Sequence, residues 1–430
     1  MKRIIILTFI LISFCSKVYS ITLYDALNQT FKDNTKLNAE RENLKASEED
    51  VNISKADFKP SMTLSGSKSF EETNKLTNQS GGDAAINDVD PFTSSIKLEQ
   101  TLLDFERNIT HEKNIIGLDL AKAKLIKKEQ DIFYEAIKAY TQLILARETL
   151  DINRRNLDLL NRQVENDKIR LDRGQITITD LSQSESSFAG AQAQFIEAKN
   201  NLLISKLTYE NVIGKIQDPN LLQKKLNAIV SIPKSLKDAI NISLKKNPNI
   251  LIANFEFKQT EKDLESSKAD LKPTATLSLE RSYSKDFSST IDKKEKDSLT
   301  TTLSWPFYSG GKKRSTINKN VNLTSRNRLL LEDTIQLNKT VVTSAWSSLE
   351  SAKSFLNSVR VQVQAAKIAN EGIVAEYERG SRTTLDVIQS NALLLSAQVS
   401  LASSERNYLL SQYDLLKAIG LLNSEYLKLK

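Results

Sequence analysis

Residues 377–420 read YERGSRTTLDVIQSNALLLSAQVSLASSERNYLLSQYDLLKAIG. Arg379-Gly380 interrupts a helical pattern, and glycine takes the left-handed conformation that ends a helix. Thr383 and Asp386 follow at the spacing of a capping box, which predicts a new helix start. Beyond it, large side chains recur with a period of seven at Val387, Leu394, Leu401, Tyr408 and Leu415. Small ones follow them at Ser390, Ala397, Ser404, Ser411 and Ala418. A sustained period of seven predicts a coiled-coil seam, and the small track predicts close approach of a second helix.

The same pattern stands 206 positions earlier: Arg173-Gly174 ends a helix, and Thr177 and Asp180 form the box. The large track is then Leu181, Phe188, Phe195, Leu202 and Tyr209, and the small track Ser184, Ala191, Ala198 and Ser205, with Val212 as the one departure. Upstream, residues 22–65 and 235–278 align without a gap, with 18 of 44 positions identical, so the chain is internally duplicated.

After Pro60 and Pro273 the apolar period changes to two. Met62, Leu64 and Phe70 alternate with Thr63, Ser65 and Ser69, and Ile96, Leu98 and Leu102 with Ser95, Lys97, Glu99 and Thr101. In the second copy Ala275, Leu277, Leu279 and Tyr283 alternate with Thr276, Ser278, Glu280 and Ser282, and Leu299, Leu303, Trp305 and Phe307 with Thr300, Thr302 and Ser304. Segments of about ten alternating residues have the length of tilted strands that cross a bilayer. Between strands and Arg-Gly turns, residues 107–171 and 313–377 contain no proline. Heptad tracks run there through Leu118, Leu125, Ile132, Ala139 and Ala146, and through Leu349, Leu356, Val363 and Tyr377.

These patterns divide the chain as follows: a signal peptide at 1–20, a first repeat at 21–216, a linker at 217–234 and a second repeat at 235–430. Strands are expected at about 60–71 and 92–103 and a helical hairpin at about 105–214 in the first repeat. The second repeat is expected to hold strands at about 273–285 and 297–308, joined by a polar loop, and a hairpin at about 312–420.

Lys2-Arg3, the apolar run from Ile4 to Phe14, and Val18 and Ser20 at the -3 and -1 positions read as a secretory signal cleaved after Ser20. Cys15, the one cysteine, falls inside it, so the mature chain is expected to carry no disulfide or thiol chemistry. With 12 glycines and 7 prolines in 430 residues, long uninterrupted helices are favoured. A mean hydropathy of -0.36 argues against a bundle of transmembrane helices. Of the net charge of +7, Lys2, Arg3 and Lys17 lie in the signal, and the rest is too dispersed to point to nucleic acid. His111 is the single histidine. With no His/Cys cluster, phosphate-binding glycine loop or nucleophile–base set, neither an enzyme nor a metal or cofactor site is expected.

Four strands with an apolar outer face cannot close a barrel alone, because lipid tolerates no open sheet edge. The chain must pool strands with copies of itself, eight strands from two protomers or twelve from three. A soluble sheet packed on one face is the competing reading of the strands. A trimeric coiled-coil spacer or adhesin anchored in the outer membrane is the competing function.

KADxKP at 55–60 and 268–273, LSWPFYSGGKKR at 303–314 and YxxGxRTxxDV at 377–387, in this order, resemble the TolC-like outer-membrane efflux proteins over essentially the whole mature chain. The resemblance implies a mainly α protein with membrane β structure: a homotrimer whose twelve-stranded β-barrel in outer-membrane lipid continues into a periplasmic α-helical coiled-coil barrel. It implies an exit duct of a tripartite efflux pump or type I secretion system, with a periplasmic adaptor (membrane fusion) protein and an inner-membrane transporter as partners. By motif position, Tyr377 and Arg382 match the tyrosine and arginine that tie neighbouring hairpins shut, Thr179 and Asp180 match their partners, and Asp386 matches an aspartate ringing the closed aperture. A second ring aspartate is replaced by Gln389. Helix capping alone is the simpler reading of Asp180 and Asp386, and a last seam position that of Tyr377.

Overall fold

A computed structural model describes residues 20–85, 88–216, 218–224, 231–288 and 290–429. The expected signal peptide lies outside the described residues except at Ser20, and the expected linker lies outside them at 217 and 225–230. The chain runs α1 (Leu23–Asp33), α2 (Thr35–Ala56), β1 (Ser61–Lys68), β2 (Phe92–Leu103), α3 (Phe105–Asp172) and α4 (Ile178–Val212). It repeats as α5 (Leu236–Lys246), α6 (Pro248–Ala269), β3 (Thr274–Ser288), β4 (Ile291–Ser304), α7 (Lys312–Glu378) and α8 (Thr384–Ile419). No described helix is long and apolar enough to cross a membrane.

The chain forms two units, one of residues 39–127 and 248–338 and one of residues 20–38, 128–247 and 339–429, and both α3 and α7 contribute to each. In the first unit the strands form one antiparallel sheet in the order β1-β2-β3-β4. Residues directly opposite share a face, and the register lines up Met62, Leu98, Leu279 and Leu299. Thr63, Lys97, Glu280 and Ser298 line up on the other face. Among the described residues the outer edges of β1 and β4 are unpaired.

The second hairpin departs from expectation. Residues read as a polar loop continue the ladder, with Arg281 opposite Asp297, Lys285 opposite Lys293 and Ser288 opposite Ile291. No glycine or proline interrupts this stretch, and Arg281 reaches across to Glu295 and Asp297 at 3.7 and 3.8 Å, so paired charges line a strand that looks like a loop. At its other end β4 stops at Ser304, short of 308, because Pro306 has no N–H to donate to a ladder. The Trp305 indole instead donates to the Leu271 carbonyl at 3.1 Å.

In the second unit, Phe133, Ala136, Ile137, Tyr140 and Leu143 of α3 meet Leu23, Ala26 and Leu27 of α1 and Leu415, Leu416 and Ile419 of α8 in one buried cluster. The duplication is visible in its packing. Ala26 and Ala239 are both fully buried, and Asn34 and Asn247 donate their amides to the carbonyls of Val212 and Ala418 at 3.2 and 2.8 Å. Each amide thereby satisfies a carbonyl that a helix C-terminus leaves without an intrahelical donor. Along α4 the small residues Ser184, Ala191, Ala198 and Ser205 are buried, whereas Phe188, Phe195 and Leu202 are only half-buried within one chain.

Candidate functional site

The tips of the two helical hairpins share a local design. Gly174 and Gly380 have φ of 69° and 83°. Each donates back three residues, to Leu171 at 2.8 Å and Tyr377 at 2.9 Å, while Gln175 and Ser381 donate back five, to Arg170 at 2.9 Å and Glu376 at 3.0 Å. This double bond is the Schellman ending, and it requires the left-handed residue that glycine supplies. Thr177 and Thr383 then cap α4 and α8. Their hydroxyls accept from the Asp180 and Asp386 amides, and those aspartates accept from the Thr177 and Thr383 amides at 2.9 and 3.0 Å. The threonine amide and hydroxyl hold both carboxyls below the usual aspartate value. Arg173 and Arg379 are exposed beside the turns.

Tyr377 does not lie with Thr179 or Asp180. Its hydroxyl donates to Asp167 Oδ1 at 2.7 Å, and it lies 3.3 Å from Gln163 Nε2 and from the Thr384 hydroxyl. Asp167, on α3, is fully buried; it also accepts from Ser184 Oγ at 2.5 Å and from Gln163 Nε2 at 3.0 and 3.1 Å. The Arg170 guanidinium covers the Tyr377 ring at 4.4 Å from its centroid. Burial pushes the Tyr377 phenol above its ordinary pKa, so it stays protonated and able to donate. One carboxylate thus joins α3, α4 and the end of α7, a link that a change of tip geometry must break or carry along.

Arg382 is bonded to its own hairpin, Nε to Glu376 Oε2 at 2.7 Å, with both side chains about half exposed. Thr179 is exposed. Within one chain the structure therefore does not bring Arg382 to Thr179 or Asp180, and Tyr377 bonds Asp167.

The second hairpin has its own buried polar contact. Asn370 Nδ2 donates to Asn391 Oδ1 at 2.7 Å and to Ser390 Oγ at 3.2 Å. Ser390 matches Ser184 in the duplication, so the first small-track serine of each hairpin bonds a polar side chain on the opposing helix. Asp167 and Asn370 were not singled out from the sequence, although a signal existed. The α3 heptad track continues past Ala146 through Asn153 and Leu160 to Asp167, and the α7 track passes through Asn370 between Val363 and Tyr377. A polar residue at a seam position is costly unless it fixes register, and it deserves notice for that reason.

A family model described as "Outer membrane efflux protein" matches residues 26–215 and 239–421. The outer membrane efflux protein BepC of Brucella suis is 26% identical over 414 residues, covering 95% of this chain and 87% of BepC. The alkaline protease secretion protein AprF of Pseudomonas aeruginosa is 23% identical over 347 residues, covering 80% and 72%. Among solved structures, the Campylobacter jejuni CmeC outer membrane channel superposes with a TM-score of 0.78 at 15% identity, covering 93% of this chain and 85% of that one.

Proposed function

The chain belongs to the outer membrane efflux protein family, and from that premise we propose how its tips and strands make a gated duct. Membership makes it an outer-membrane channel with a periplasmic helical extension, a transport protein and not an enzyme. It also implies a trimer that works with efflux-pump or secretion components. The finer reading is ours. Three copies pair β4 of one with β1 of the next, giving twelve strands and no open edge. A periplasmic adaptor and an inner-membrane transporter engage the helical end, and the duct rests closed at the hairpin tips.

The observation that carries this reading is the sheet. Among the described residues its two edges are free, and Met62 and Leu299 of its apolar row are 68% and 69% exposed. Such a sheet is viable only where lipid covers the face and copies cover the edges.

At the tips, the Tyr377–Asp167 bond holds the two hairpins of one protomer together. Arg382, whose ion pair is with an exposed Glu376, exchanges that partner at little cost for Thr179 and Asp180 of a neighbouring hairpin in the closed state. Asp386 stands at the aperture as an open carboxylate. Purified protein in a planar lipid bilayer tests this reading. A trimer with low resting conductance that rises in Tyr377→Phe/Arg382→Ser is expected, and a monomer, or a trimer that never conducts, overturns it.

A further inference from the structure

We propose that the outward face of the β3–β4 hairpin, with Lys68 on β1, binds the phosphates of the outer-leaflet glycolipid. The inference rests on the barrel reading above and adds a specific lipid contact to it. Six residues beyond the Met62–Leu98–Leu279–Leu299 row, an even number on every strand, the register lines up Lys68, Phe92, Lys285 and Lys293. Alternate residues share a face, so these side chains stand on the same side as the apolar row. Exposure agrees: Leu279, Arg281 and Lys285 are exposed on β3, while Glu280 and Ser282 between them are half-covered and Ser284 is buried.

The height fits a headgroup when it is measured from Trp305, the exposed aromatic just past β4 that the barrel reading places in the lower aromatic girdle. Asp297, opposite Arg281, is eight residues from Trp305 in sequence, and Lys293 is twelve. At about 3.4 Å per residue and a tilt of about 40°, these stand roughly 21 and 31 Å above the tryptophan. The apolar band of such barrels is about 25 Å tall. Arg281 therefore sits near its upper boundary and the lysines just beyond it.

The charges differ between the two levels. Arg281 is matched by Glu295 and Asp297. Lys285 and Lys293 stand directly opposite each other with no ion pair or hydrogen bond among the described residues. Like charges directly opposite destabilise a ladder, and a phosphate between them reverses the sign. Lys68 donates to the Asp90 carbonyl at 2.5 Å and lies over the Phe70 ring, 5.3 Å from its centroid, which leaves its charge without a carboxylate. The occupant is a lipid rather than a free anion because the lysines continue an apolar face. Acyl chains lying on Leu279 and Leu299 bring the phosphates of the same molecule to Lys285 and Lys293.

Native mass spectrometry of the detergent-solubilised trimer tests this, with diphosphorylated lipid A and its fully dephosphorylated form as probes. Wild type is expected to retain the diphosphorylated form at least about tenfold better, the scale of one charge-assisted hydrogen bond. Lys68→Gln/Lys285→Gln/Lys293→Gln should abolish the preference. Lys296→Gln, opposite Ser282 on the other face, should leave it intact. Equal retention of the two lipids by wild type overturns the proposal without reference to any variant, as does an unchanged preference in the triple variant. Displacement by inorganic phosphate would assign the lysines to a free anion instead. The same spectra report the trimer, so failure of assembly is read separately from failure of lipid binding.

Discussion

The Tyr377 hydroxyl donates to the buried carboxylate of Asp167 at 2.7 Å, across a sequence separation of 210 residues. Asp167 has no cation partner among the described residues and is satisfied by Tyr377, Ser184 and Gln163. A hydrogen bond to a charged group is worth roughly 1.5–3 kcal/mol, and a donor left buried and unpaired costs about 1–3 kcal/mol. Tyr377→Phe removes one donor and leaves two. Asp167→Ala removes the acceptor of all three donors at once, leaving Gln163 and Tyr377 with only the longer 3.3 Å contacts to the Tyr377 and Thr384 hydroxyls and Ser184 Oγ without its partner, so it should destabilise the tips more than Tyr377→Phe. Hydrogen exchange over residues 160–185 and 370–390 should show this order. Equal protection in the two variants would mean that the carboxylate does not organise the cluster.

The caps make the tips acid-sensitive. Asp180 and Asp386 have folded pKa values below the ordinary 3.8 because the Thr177 and Thr383 amides and hydroxyls bond their carboxylates. A depressed folded pKa gives stability that is present above the unfolded value and lost as pH falls through the folded one. Protection factors at the Thr177 and Thr383 amides, that is rates corrected for intrinsic exchange, should therefore be flat above about pH 4 and fall below it, and Asp180→Asn should remove the dependence at its own turn. Identical profiles in wild type and Asp180→Asn would show that the box does not hold the turn.

The core of the helical unit should be sensitive at the other end of the scale. Burial raises Tyr209 and Tyr413 to about 12, with the Asp25 charge adding to the effect at Tyr209. Burial also raises Tyr140, whose hydroxyl lies 2.9 and 3.0 Å from the carbonyls of Ile21 and Gln223. A neutral group with a raised folded pKa stabilises fully below the unfolded value, here about 10, and loses that contribution as pH rises through the folded one. Melting temperature should fall by on the order of several degrees between pH 10 and 12, and by less in Tyr413→Phe. A flat profile across this interval contradicts the burial of these phenols.

Much of this fold is legible because its elements repeat. Period seven, period two and the Arg-Gly turns occur twice, and each copy supports the other. In the β3–β4 hairpin the density of charge reads as loop, whereas Arg281, Glu295 and Asp297 pair across the strands. At the site, the turns and boxes followed from local chemistry at Gly174, Thr177, Gly380 and Thr383. The partner of Tyr377 did not. Asp167 lies on α3 and Asp180 on α4, so which of them faces the phenol depends on how far the α3–α4 hairpin is shifted along α7, a shift that a heptad track leaves undetermined by whole heptads.

The strand faces can be separated by single charges. Leu98, Leu279 and Leu299 share one row, and Ser278 and Thr302 belong to the opposite face. A charge facing lipid near mid-bilayer costs about 2–4 kcal/mol for a basic residue and less for an acidic one. Leu279→Arg and Leu299→Arg should reduce assembled trimer in outer-membrane fractions, whereas Ser278→Arg and Thr302→Arg should not. Equal loss on both faces would contradict the assignment of lipid and lumen.

The closing prediction concerns the aperture. Among the described residues Asp386 is bonded only within its own cap, through Thr383. One of its oxygens, Oδ2, is engaged by that cap. In the threefold duct proposed above, three such groups would meet around one axis and attract multivalent cations from the periplasmic side. Gln389 lies one turn further along α8, exposed and uncharged. Asp386→Asn should keep the resting conductance low, because it leaves Tyr377, Asp167 and Arg382 in place, and should abolish block by multivalent cations. Gln389→Asp adds a second ring within a Debye length of about 10 Å of the first. It should lower the half-blocking concentration of a trivalent cation roughly tenfold, and more steeply at low salt, as expected of solvent-facing charges. Single-channel recording at two ionic strengths checks both variants. If Asp386→Asn raises resting conductance while cation block is unchanged, the aspartate serves the turn, and the aperture charge must be sought elsewhere on the tips.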